Sequence, residues 1–196
     1  MKRRPRRPTP GQPGEPRPGS GPDAGPPADP ESVARSICLR LLATQPRTRS
    51  ELATALAKRE VPAEAAEAVL VRFDEVGLID DAAFAAAWVD TRHRGRGLAR
   101  QALARELRQR GVAQDTARTA LDRLDPDDEI RTARALVARR RTATRRLAPE
   151  VEVRRLVGML GRKGYPPGLA LRVVREALAE NAEASAVLDE VDETTL

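Results

Sequence analysis

Arginine is the residue type with the most chemistry to offer in this chain, and it is concentrated in two places. The first cluster holds Arg92, Arg94, Arg96, Arg100, Arg105, Arg108 and Arg110; the second holds Arg139, Arg140, Arg141, Arg145 and Arg146. A guanidinium stays charged at any biological pH and presents a planar fork of donors that fits a phosphate or a carboxylate. The second cluster packs its arginines so densely that they repel one another unless opposite charge lies nearby. Arg105 and Arg108 stand three apart on a helical period and share a face. Arg94 and Arg96 are expected in a loop just before that helix, where Gly95 and Gly97 would let the chain approach a partner backbone closely. The competing explanation for both clusters is a solvated helix face, to which Glu106 would belong. These arginines are the candidate partner-binding residues.

Other chemistry is thin. The chain carries one Cys and one His, too few for an ordinary tetrahedral zinc site, and a lone Cys cannot form an internal disulfide. Cys38 lies in an apolar helical stretch and reads as a small core residue. His93, among Arg92, Arg94 and Arg96, is disfavoured as a cation and has no Ser or Cys partner in a catalytic motif. No Gly-rich loop ends in Lys-Ser or Lys-Thr. The acids Asp80-Asp81 and Asp125-Pro126-Asp127-Asp128-Glu129 could hold a metal, but helix N-termini call for acids at such boundaries. The expectation is a protein that is no enzyme and has neither cofactor nor metal.

The charge balance, 35 Lys and Arg against 29 Asp and Glu, favours an acidic partner such as nucleic acid or an acidic protein surface. The only aromatics are Phe73, Phe84, Trp88 and Tyr165, and most fall where a core residue is expected. That argues against a base-stacking platform for single strands and leaves phosphate contact open. No apolar run approaches the ~18 residues of a membrane span and no signal-peptide core is present, so the expected location is cytoplasmic, with no membrane partner.

The elements that must position these residues repeat. Leu52 and Leu56, Leu103 and Leu107, and Leu156 and Leu160 are three copies of one leucine pair, 51 and then 53 residues apart. A basic turn follows each: Lys58-Arg59-Glu60, Gln109-Arg110-Gly111 and Arg162-Lys163-Gly164. A period near 50 with apolar spacing of three and four marks tandem helical units. The fold class is therefore all-α: three tandem three-helix repeats stacked into an array, over residues 31–79, 80–126 and 127–182. Residues 1–30, crowded with Pro, Gly and Arg, are expected to be a disordered tail, and 183–196 a frayed helix end and acidic tail. Ser50 before Glu51 reads as the N-cap of the second helix, and Gly77 as the stop of the third. Matching Trp88 to Leu41 makes the link from first to second helix longer in repeat two than in repeat one. The function is expected to sit in the longer, arginine-rich links of repeats two and three.

Several linked pieces give this chain a resemblance to a known family. They are Leu39-Arg40-Leu41-Leu42 with Arg49-Ser50-Glu51-Leu52; Gly77-Leu78-Ile79-Asp80-Asp81 with Phe84-Ala85; and Arg92, Arg94, Gly95 and Gly97 followed by Arg105-Glu106-Leu107 and Arg110-Gly111-Val112. Leu160-Gly161-Arg162-Lys163-Gly164-Tyr165 and Val173-Val174 complete the set. In this order and spacing they resemble the RecX family, regulatory proteins that bind and modulate the RecA recombinase, over roughly residues 33–179. The resemblance implies a curved, elongated, monomeric array without cofactor that lies along the groove of the RecA–DNA filament and inhibits strand exchange and ATP turnover. Within that implication DNA contact through the basic clusters is possible. The alternative is a stand-alone basic helical array gripping nucleic-acid phosphates. The chain departs from the pattern at Glu60, where the later repeats have Gly111 and Gly164, and at Trp88, where the family often has Tyr.

Overall fold

Every described segment of regular structure is helical. The computed structural model describes residues 29–144 and 147–194, with side chains as far as residue 180, so Arg145, Arg146 and the stretch before residue 29 lie outside the described residues. Among the described residues nine helices follow one another: α1 (Pro30–Leu42), α2 (Arg49–Ala57), α3 (Ala63–Glu75), α4 (Asp81–Arg96), α5 (Arg100–Gln109), α6 (Gln114–Asp122), α7 (Pro126–Arg141), α8 (Pro149–Arg162) and α9 (Pro167–Thr194). They fall into three consecutive three-helix units, each with its own buried core. The tandem all-α arrangement expected from the leucine pairs is the observed one. α9 continues as helix past residue 183, where the sequence pointed to fraying.

The six leucines of the repeat are completely buried, each pair at the centre of its unit. Truncating any one to Ala costs roughly 2–5 kcal/mol by the usual behaviour of core leucines. Small residues hold the first helix of each unit close: Ala34 and Cys38, Ala85 and Val89, Ala133 and Val137. These pairs set the true register. Leu52 follows Cys38 by 14 residues and Leu103 follows Val89 by 14, whereas Leu156 follows Val137 by 19. The longer link belongs to the third unit alone. The expected longer link in the second unit came from matching Trp88 to Leu41, when Trp88 occupies the position of Ile37. Arg92, Arg94 and Arg96 accordingly lie in the last turns of α4 and not in a loop.

Caps place the helix starts. Thr48, extended at φ −77° and ψ 158°, caps α2, its hydroxyl accepting from Glu51 N while Glu51 accepts from Thr48 N. This reciprocal box satisfies two otherwise orphaned donors, and Ser50, already helical, is not the cap. Asp80 accepts from Ala83 N at 2.8 Å and Asp125 from Asp127 N at 2.9 Å, so both acidic boundary stretches cap helices. Gly77, at φ 71°, follows the end of α3 as a left-handed stop.

The units are joined by the same device twice. The first free N–H of each second helix is met by an acid of the following unit: Arg49 N donates to Asp81 at 2.9 Å, and Arg100 N to Glu129 at 2.7 Å. The residue before it is met by the following unit's basic turn. Thr48 Oγ1 donates to Arg110 O at 2.7 Å, and Ala99 N to Lys163 O at 2.9 Å. Tyr165 strengthens the second joint, its buried hydroxyl donating to Gly97 O at 3.2 Å. Burial pushes that phenol well above its ordinary range, with Glu129 adding to the effect, so it remains an O–H donor.

In the third unit the position corresponding to Thr48 and Ala99 is Glu152. It is buried, and its carboxylate accepts from Thr144 Oγ1 at 3.0 Å and pairs with Arg141 at 3.3 Å. Arg141 also donates to Ala177 O at 2.5 Å, so the long α7–α8 link is tied to α9.

The basic turns dock so closely that they leave no room for a side chain. Gly164 has φ 87°, and a Cβ there would lie 2.4 Å from Ala102 N. Glu60, at the same point of the first unit, also adopts positive φ, 58°, but is exposed. The glycine is therefore required by the joint and not by the turn. Gly164→Ala should cost about 2 kcal/mol or more, from left-handed strain and overpacking together. Glu60→Gly should leave the midpoint of urea unfolding unchanged or raise it by the equivalent of about 0.5 kcal/mol. Equal losses from the two variants would contradict this account.

Asp81 gives a pH-dependent check on the first joint. Burial raises its carboxyl above the ordinary carboxylate range, with Asp74 and Asp80 adding to the rise and Arg49 opposing it. A carboxyl whose folded pKa is raised favours folding below its unfolded pKa, and that contribution is lost as pH rises through the folded pKa. Asp81→Asn keeps an oxygen to accept from Arg49 N. It should unfold at higher urea than the parent near pH 7, with the difference vanishing near pH 3.

Candidate functional site

The ten candidate arginines among the described residues separate into two populations according to what each touches; Arg145 and Arg146 lie outside the described residues. Arg92 and Arg110 gather on Trp88. Their guanidinium carbons lie 4.0 and 3.8 Å from its ring centroid, and Phe84 stacks on the ring at 5.7 Å. Glu106 completes the cluster, accepting from Trp88 Nε1 at 2.8 Å and lying 3.6 Å from Arg92. Arg110 also reaches Glu51 of the first unit at 2.5 Å, while its own carbonyl serves the joint. Arg100 donates to Asp122 at 2.9 Å and to Leu124 O at 2.8 Å, and Arg141 is held by Glu152 and Ala177. These four are half-buried and their charges are answered within the chain.

The second population faces solvent. Arg94, Arg96, Arg105, Arg108, Arg139 and Arg140 are exposed. Arg94 makes only an exposed pair with Asp90 one turn away, a contact worth a few tenths of a kcal/mol at most. Among the described residues no acidic side chain pairs with Arg96, Arg105, Arg108, Arg139 or Arg140. Arg105 and Arg108 sit on α5, as the helical period predicted. Arg108 lines a cleft of about 400 Å³ with Arg100, Arg118, Ala104 and Val112, between α5 and α6. Arg139 and Arg140 end α7, in another unit.

Gly97 does make a close approach, but to a side chain within the protein: a Cβ there would lie 2.9 Å from Leu136 of the third unit, and Gly95 has open space. The close contact expected for a partner is thus an internal one. His93 is part of the same joint. It is buried, its Nδ1 lies 2.8 Å from Leu98 O and its Nε2 3.1 Å from Thr132 Oγ1. A carbonyl only accepts, so Nδ1 carries a proton. Cys38 is buried, and burial pushes its thiol up, away from the reactive thiolate.

Among the described residues, no group of three or more His, Cys, Asp or Glu is placed to hold a metal ion. No described helix is long and apolar enough to cross a membrane. Trp88 was legible only as a core residue; its role as the plate on which two arginines are laid depends on Glu106 and Arg110, which come from another helix. The spacing of Trp88 and Arg92, one turn apart on α4, was the available signal. Arg110→Ala should cost about 2 kcal/mol, since it removes a charged hydrogen bond and a cation–π contact together. Arg105→Ala should change stability by no more than about 0.5 kcal/mol in the same denaturation experiment.

Comparison with known proteins adds the last observations. A family model described as the first three-helix domain of RecX matches residues 34–73, and one described as the second three-helix domain matches residues 80–121. The regulatory protein RecX of Streptomyces coelicolor is 61% identical over 158 residues, spanning 81% of this chain and 84% of that protein. That of Thermobifida fusca is 58% identical over 166 residues, spanning 81% and 90%. The crystal structure of RecX from Lactobacillus salivarius superposes with a TM-score of 0.70 over 76% of this chain and 97% of that one; at 18% identity it speaks to the fold alone.

Proposed function

The chain belongs to the RecX family of regulatory proteins, and on that premise we propose that it binds the RecA–DNA filament and inhibits its recombinase and ATPase activities. Its setting is then DNA repair and recombination within the SOS response. One observation carries the reading: Arg96, Arg105, Arg108, Arg139 and Arg140 are exposed cations without an acidic partner among the described residues. Charges left unanswered on a folded surface are available to the phosphates and carboxylates of a nucleoprotein filament. Arg94 joins them at little cost, because its exposed pair is easily exchanged.

Arg92, Arg100, Arg110 and Arg141 have a supporting part in this reading, shaping the surface from which the others project. The aromatic inventory favours the filament over stand-alone binding of single strands. Phe73, Phe84 and Tyr165 are buried, and Trp88 lies beneath two arginines, so none offers a free face to a base. The partner is accordingly recognised as a charged assembly and not base by base.

The test is the ATPase of the cognate recombinase on single-stranded DNA, with this protein added below stoichiometry. Arg105→Glu combined with Arg108→Glu should raise the concentration for half-inhibition at least about tenfold, the consequence of losing ~1.4 kcal/mol or more of binding. Helicity should be unchanged. Unaltered turnover with the parent protein, alongside tight salt-sensitive binding to bare DNA, would instead establish the stand-alone reading.

A further inference from the structure

A second basic site lies where the first unit meets the second, apart from the exposed arginines of α5 and α7. A cleft of about 450 Å³ opens between α2 and the end of α5, lined by Arg47, Lys58, Arg59 and Arg110 with Ser50 and Glu51 among its other walls. Glu51 is already committed: one oxygen takes Arg110 at 2.5 Å and the other takes Thr48 N at 3.3 Å. That pair neutralises Arg110 and leaves Arg47, Lys58 and Arg59 without an acidic partner among the described residues. Arg59 reaches only its own helix, donating to Ala55 O at 2.9 Å.

Arg47 is the informative residue. Its Nε is buried with no hydrogen-bond partner among the described residues. A buried donor without an acceptor is uncommon in folded proteins and calls for an explanation. The fold does not supply one, because the matching position of the second unit is Leu98, which packs against its unit's core. An apolar side chain therefore suits this point of the repeat, and arginine there is not a requirement of folding. The positions matching Lys58 and Arg59 are Gln109 and Arg110, which in the second unit dock on the unit before. Among the described residues no helical unit docks through the first unit's copy of this turn.

We propose that this cleft binds a phosphate oxyanion, held by Arg47, Lys58 and Arg59. A planar carboxylate is satisfied by one guanidinium fork, whereas three separate cations around one cleft suit a tetrahedral group with oxygens on several sides. A nucleic-acid phosphodiester and a free phosphate or nucleotide share that chemistry. The site goes beyond the filament reading and is tested without any recombinase, so its failure would leave that reading intact.

The experiment is an NMR titration of the ¹⁵N-labelled full chain with sodium phosphate, against sodium chloride at matched ionic strength. The Arg47 Nε–H signal and the amides of Ser50 and Gln109 should shift and saturate. A short single-stranded oligonucleotide is then added. Displacement of phosphate identifies the phosphodiester as the source, and failure to displace identifies free phosphate or a nucleotide; both support the site. Arg47→Leu, which copies the second unit, should abolish the saturable shift. Lys58→Gln should weaken it, and is the deciding variant if Arg47→Leu does not fold. Where the oligonucleotide binds, each substitution should lower the log–log salt slope by about 0.7. Absence of a saturable phosphate shift, parent-like binding by both variants, or better competition by a glutamate-rich peptide than by phosphate would overturn the proposal.

Discussion

Everything in this structure depends on how the start of each second helix is satisfied. A unit of about 50 residues buries too little surface to stand comfortably alone, and a helix end leaves several N–H groups without partners. Both needs are met by one arrangement, in which the following unit delivers an acid and a turn carbonyl to that end. Asp81 and Arg110 do this for α2, and Glu129 and Lys163 do it for α5. The polar contacts make the joints directional, because only one approach brings acceptor to donor. The turn that delivers them must come within contact distance of backbone, which explains Gly164 and, by its exposure, the tolerance of Glu60.

The same constraint sorts the arginines. Those near a joint are drawn into it: Arg110 spans two units through Glu51 and Trp88, and Arg141 anchors the long link to α9. Arg96, Arg105, Arg108, Arg139 and Arg140, on outward helix faces, have no acidic partner among the described residues. A chain with a modest excess of base over acid can therefore still display a set of unpaired cations. Net charge is a poor guide to what such a protein offers a partner. The distribution of paired and unpaired cations is the better one.

Local signals made much of this legible. The leucine pairs announced the number of units, and the boundary acids announced the helix starts, because both depend on spacing along the chain. The contrast between Thr48 and Ser50 was also available, since Thr48 stands three before Glu51 as the reciprocal cap demands. The register of the first helices was hidden: Ala34, Cys38, Ala85 and Ala133 are the residues at the contact, and small side chains give a weak periodic signal. That is why Arg92 to Arg96 were read as a link when they finish a helix. The division between bound and free arginines was also out of reach. Which carboxylate meets which guanidinium is set by contacts such as Arg110 with Glu51, 59 residues apart in sequence.

Glu152 carries a consequence of its own. At the point where the first two units hold out a hydrogen to a successor, the third holds an acceptor, and its Oε1 is met by Thr144 and Arg141. Thr48 and Ala99 are also helix caps, whereas Glu152 lies a turn inside α8, so the third unit differs both in polarity and in where its second helix starts. A second molecule arriving head to tail meets no counterpart of Thr48 or Ala99 there. The two joints of the described residues are thus a property of the first and second units, and the third closes the pattern on its own side chains.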